Sequence, residues 1–67
     1  MIVNKVPQLL KQKGITMITL SREAGISKTA VIKIYHNRTT QISMKVLNRI
    51  CEYFECDVND VFEYIKD

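Results

Sequence analysis

The chain has 67 residues, 46% hydrophobic and 25% charged, with a net charge of +3 at neutral pH. A chain this short buries only about 60% of the surface its unfolded form exposes, so residues 1–67 are expected to make one small domain with no room for a separate ligand-sensing one. No apolar run reaches the roughly 20 residues of a membrane span and no basic stretch leads into an apolar signal segment, so a cytoplasmic protein is expected.

The predicted elements follow one another closely. Met1-Ile2-Val3 suits a short extended strand. Asn4 is placed to cap a first helix, with Pro7 inside the first turn, where a missing N–H costs little. Val6, Leu9 and Leu10 form its buried stripe, and Gly14 supplies a left-handed stop. Thr16 caps a second helix that runs to about Ala24, and Gly25 allows the positive φ of a sharp turn. Ser27 caps a third helix, about residues 28–36, which stops at Asn37, the non-glycine residue best suited to a left-handed position. Ser43 caps a fourth, with Met44, Leu47, Ile50, Cys51 and Phe54 at helical spacing on one face. Asp57 begins a fifth, with Asp60 three residues later in a loose capping-box spacing. Val61, Phe62 and Ile65 anchor this last helix to the core. The fold class is therefore all-α: five short helices and at most a scrap of strand.

Residues 15–38, ITMITLSREAGISKTAVIKIYHNR, carry most of the functional information. They read as helix, tight turn at Gly25-Ile26, and helix. Ile18, Leu20, Ala24, Ile26, Val31 and Ile34 fall mostly on a shared core, and the outer face of the second of these helices stays polar. In a helix-turn-helix that outer face enters the DNA major groove. The charge distribution agrees. Residues 1–49 hold nine of the ten Lys/Arg and one acid, Glu23, a net +8; residues 50–67 hold Lys66 against six acids, a net −5. A basic body with an acidic end suits a protein that sets one side on phosphates.

The same residues resemble the Cro/CI-type (XRE) helix-turn-helix repressors. The family core reads roughly LAxxxGISxxTLSRIENGK, against Leu20-Ser21-Arg22-Glu23-Ala24-Gly25-Ile26-Ser27 and onward to Asn37-Arg38 here. The likeness continues through Ile42-Ser43-Met44, Leu47, Ile50-Cys51, Cys56 and Asp60-Val61-Phe62-Glu63-Tyr64, and so covers nearly the whole chain. The resemblance implies a five-helix, lambda-repressor-like domain whose helices 2 and 3 make the motif. Ser21 departs from the family's alanine at the contact between those helices; its hydroxyl can bond back to the carbonyl four residues earlier. Tyr35, His36 and Asn37 replace the common glutamate, asparagine and glycine and reshape the end of the third helix.

Wound as a helix, residues 27–37 place Ala30, Val31 and Ile34 toward the core and Lys28, Thr29, Ile32, Lys33 and His36 outward. The resemblance implies base reading from Lys28, Thr29, Ile32 and Lys33. Lysine can donate to guanine O6 and N7, threonine can bond a base or touch a thymine methyl, and Ile32 can contact that methyl or fold back on Tyr35 or His36. Backbone contacts are expected from the free N–H groups at Thr16, Met17 and Ile18, where a helix begins, and from Thr19, Arg22, His36, Arg38, Thr39, Thr40 and Lys45. The family also implies a homodimer on a palindromic site, joined through the C-terminal helices and the loop before the last; Phe54, Val58, Phe62, Tyr64 and Ile65 lie in that region.

Other classes have less support. Cys51 and Cys56, five apart with His36 as the single histidine, fit neither a redox pair nor a zinc site, and two reduced, buried thiols are expected. No carboxylate pair, Cys–His arrangement or glycine-rich phosphate loop points to an enzyme, and no cofactor, metal or small-molecule ligand is expected. A protein-interaction module or toxin-neutralising antitoxin is the alternative, which Lys28 and Lys33 on the outer face of the third helix disfavour.

Overall fold

Side-chain caps punctuate the chain as its sequence dictates. In the computed structural model, which describes residues 1–39 and 41–66, the elements are β1 (Ile2–Asn4), α1 (Val6–Lys13), α2 (Met17–Ala24), α3 (Lys28–Tyr35), α4 (Met44–Phe54), α5 (Val58–Val61) and β2 (Phe62–Tyr64). Thr16 Oγ1 accepts the Thr19 N–H at 3.2 Å, Ser27 Oγ the Ala30 N–H at 3.2 Å and Ser43 Oγ the Val46 N–H at 3.0 Å. Each satisfies one of the donors that a helix start leaves without an intrahelical partner, and each contributes about 0.5–2 kcal/mol. Gly14 (φ 72°), Gly25 (φ 71°) and Asn37 (φ 56°) adopt the left-handed conformation at the stops where it is expected. A further stop carries no sequence signature: Glu55, at φ 52°, ends α4, a conformation that costs a residue with a Cβ about 1–2 kcal/mol.

The core draws on nearly every element. Val6 and Leu10 of α1, Leu20 of α2, Ile26 in the turn, Val31 and Ile34 of α3, Ile50 of α4 and Val61 of α5 are all buried. Three expected members are exposed instead: Ile18, Met44 and, just after the chain's last strand, Ile65. Ile18 is 58% exposed, because α2 turns Met17, Leu20, Ser21 and Ala24 inward at i, i+3, i+4 and i+7, and Ile18 lies about 100° away. Met44 is 78% exposed; at the first position of α4 it stands beyond the reach of the packed face. The Ser21 hydroxyl donates forward to the Ile26 carbonyl instead of back along α2, so this buried polar group ties the helix to the turn.

The largest departure concerns the chain's end. The fifth helix is a single turn, in which the Asp57 N–H donates to Asp60 Oδ2 at 3.0 Å and the Asp60 N–H to the Asp57 carbonyl at 2.9 Å. Phe62 then opens out to φ −132°, ψ 137°. Phe62–Tyr64 therefore do not continue the helix but pair antiparallel with β1, in the register Ile2↔Tyr64, Val3↔Glu63 and Asn4↔Phe62. The Lys5 N–H donates to the Val61 carbonyl and the Ile65 N–H to the Met1 carbonyl, both at 2.8 Å. Aromatic residues suit a pleated strand, and the partner strand supplies the hydrogen bonds a helix would have made. Ile65 consequently lies outside the core, 48% exposed. The strand expected at the N-terminus is present, and it carries Asn4 with it: Lys5 takes the cap position of α1, while the Asn4 side chain still accepts the Val6 N–H. Lys5 also pairs with Glu63 at 2.9 Å. Cys51 and Cys56 are free but half-buried, not buried.

Candidate nucleic-acid interface

α3 is eight residues long, and two of them decide its orientation. Val31 and Ile34 are buried three residues apart, which fixes one side of the helix against the core. Lys28, Thr29, Ile32, Lys33 and His36 are exposed, so the four residues proposed to read bases form one contiguous outward face. They make two adjacent i,i+4 rows, 28/32 and 29/33. The second row borders a groove shared with Thr39, Gln41, Ile42 and Ser43, which brings the later part of the α3–α4 connection beside Thr29 and Lys33. Ile32 keeps 43% of its surface exposed. The Tyr35 ring meets His36 edge-on at 5.0 Å.

The residues expected on the DNA backbone come from α2 and its cap, the segment after α3 and the first turn of α4. Thr16, Arg22, His36 and Arg38 are exposed, and Met17, Thr19 and Thr39 are half-buried. The Thr16 cap occupies the Thr19 N–H and leaves those of Met17 and Ile18, which face no intrahelical acceptor. Thr40 lies outside the described residues. Lys45 is exposed in the first turn of α4 and lines a different groove, with Glu23, Arg49, Glu52 and Tyr53.

That second groove explains what happens to the one acid of the basic half. The Tyr53 hydroxyl donates to the Glu23 carboxylate, turning the acid toward α4. The hydrogen bond to Glu23, then burial and the carboxylate's charge, push the Tyr53 phenol above its ordinary pKa. Lys13 meets the same side chain, with its ammonium 4.7 Å from the centre of the Tyr53 ring.

Several contributors gave no local signal. Lys11 lines a groove with Thr16, Met17 and Tyr35, which places a cation beside the start of α2; the groove exists only because α1 packs across that end. Arg49 Nη1 donates to the Gly25 carbonyl at 3.5 Å, bracing the turn of the motif from α4. The Asn4 amide reaches the end of α3, donating to the Ile34 carbonyl at 2.6 Å. Among the described residues no three His, Cys, Asp or Glu side chains are arranged to hold a metal ion, and no helix is long and apolar enough to cross a membrane.

A family model for the Cro/C1-type HTH DNA-binding domain matches residues 5–67. No curated protein matches the chain.

Proposed function

Because the chain belongs to the Cro/C1-type HTH DNA-binding domain family, we propose that it is a sequence-specific transcriptional regulator, a repressor whose α3 enters the major groove. The observation that carries this reading is the exposed face of α3, with Lys28, Thr29, Ile32 and Lys33 outward while Val31 and Ile34 are locked inward. Lys28 and Lys33 donate to guanine edges, Thr29 bonds a base, and Ile32 packs on a thymine methyl. Thr16, Met17, Thr19, Arg22, His36, Arg38, Thr39, Thr40 and Lys45 hold the phosphates on either side and set the register.

The working form on DNA is a homodimer reading a palindrome, with half-site centres about one helical turn, roughly 34–36 Å, apart. Val58, Tyr64 and Ile65 are each about half or more exposed in the region where the family's dimers join, and they supply apolar surface for that contact. Such a protein works without cofactor or catalysis, inside the cell.

The test is selection of duplexes from a random-sequence pool by the wild-type protein. Fluorescence anisotropy then compares the selected duplex with a scrambled one for wild type, Lys33→Ala and Lys66→Ala. Lys33→Ala is expected to lose about 1–3 kcal/mol of preference for the selected sequence. Lys66→Ala, at the acidic end, keeps that preference. Equal, weak binding to both duplexes by every variant would refute the reading.

A further inference from the structure

The last carbonyls of a helix have no acceptor role within it and need a donor from elsewhere. At the end of α3 the Ile34 carbonyl accepts the Asn37 N–H at 3.1 Å and the Asn4 side-chain amide, 30 positions upstream, at 2.6 Å. The same side chain accepts the Val6 N–H through Oδ1 at 3.0 Å. Asn4 is thus held on both polar atoms, one toward α1 and one toward α3. Its backbone is held as well, because it pairs with Phe62 across the two strands and the next residue's N–H bonds the carbonyl of fully buried Val61. A continuous set of contacts runs from the core, through the strand pair, to the last turn of α3. Lys33 and His36 project from that turn, and Arg38 is tied to it by its own N–H, which donates to the Lys33 carbonyl at 2.8 Å.

We infer that Asn4 is a positioning residue for DNA recognition: its amide pins the C-terminal turn of α3 and so sets the direction of Lys33, His36 and Arg38. This rests on α3 being the element that reads DNA. Asn4 lies one residue before the matched residues 5–67.

Asn4→Ser separates the two bonds. Serine keeps a short acceptor beside the Val6 N–H and lacks the amide that reaches Ile34. Amide hydrogen exchange of the free protein is measured alongside anisotropy on the duplex selected by wild type, at a temperature where circular dichroism shows both proteins equally folded. The variant is expected to exchange the Asn37 and Arg38 amides about three- to tenfold faster, with the Leu20 and Ile50 amides unchanged. Its affinity for the duplex should fall by about the same factor, the scale of one net hydrogen bond. Asn4→Asp, which retains the acceptor and lacks the donor, repeats the comparison should serine unsettle the start of α1. Unchanged exchange at Asn37 and Arg38, or wild-type affinity in spite of faster exchange, would overturn the inference. A wild-type protein that selects no sequence would overturn its premise instead, and the exchange data tell the two failures apart.

Discussion

Gly14 and Gly25 have nearly the same backbone, φ 72° and 71°, but different surroundings. A Cβ added at Gly14 meets nothing within 4 Å, whereas one added at Gly25 lies 2.6 Å from Arg49 Nη1. Gly14→Ala therefore reports the left-handed strain alone, about 1–2 kcal/mol, offset by about 0.4–1 kcal/mol from the stiffer unfolded chain. Gly25→Ala adds the displacement of the guanidinium. The clashing atom is the free end of a long side chain, so it moves aside at little cost, and what is lost is its 3.5 Å bond to the Gly25 carbonyl. That bond is long and partly solvated, which sets the excess at about 0.5–1 kcal/mol. For a domain of this size the excess corresponds to roughly 2–8 °C in melting temperature beyond the Gly14→Ala effect. Urea denaturation of both variants, each in the wild-type and Arg49→Ala backgrounds, isolates the coupling as a double-mutant cycle. The excess should vanish when Arg49 is absent. Equal losses for the two glycines in the wild-type background would refute the argument that Arg49 braces the turn.

Two further expectations follow from the same geometry. With four to six phosphates neutralised by the residues flanking α3, log K for the selected duplex should fall with log salt at a slope of about −4 to −5; anisotropy between 50 and 200 mM salt measures it, and a slope shallower than about −2 contradicts the proposed backbone set. Burial first, and then the neighbouring Cys51, push the Cys56 thiol above its ordinary pKa, so at pH 7 its thiolate fraction lies below that of a free cysteine. Iodoacetamide should accordingly label Cys56 in the native protein more slowly than in the urea-unfolded chain, as mass spectrometry of timed samples would report.

What could be read from the residues alone was local. Thr16, Ser27 and Ser43 announce their helices because a cap acts over three positions, and Gly14, Gly25 and Asn37 announce stops because the left-handed conformation selects those residue types. The outward face of α3 was legible for the same reason: one buried pair, Val31 and Ile34, fixes every other direction around the helix. Glu55 escaped because nothing about glutamate favours its conformation; the packing on either side imposes it. β2 escaped because Asp57 and Asp60 signal a helix start without saying how long the helix runs, and its strand partner lies some 60 residues away. Arg49 on Gly25, Asn4 on Ile34 and Tyr53 on Glu23 span 24, 30 and 30 positions, distances at which spacing carries no information. Ile18 and Met44 show the remaining weakness of pattern reading. Apolar character alone does not say which of two neighbouring helical faces packs, and burial is decided by the helix across from it.

The pairing of β1 with β2 brings Met1 and Ile65, 64 positions apart, into hydrogen-bonding contact. Closing a loop becomes costlier by about 0.6 kcal/mol with each doubling of its length, so this junction is about 2 kcal/mol harder to close than an eight-residue hairpin. Two strands alone do not recover that cost in water. The pair therefore depends on the helices between, which hold its halves together. It works as a latch, and because Asn4 sits on it, the end of α3 is fastened by a pairing of strands some 60 positions apart.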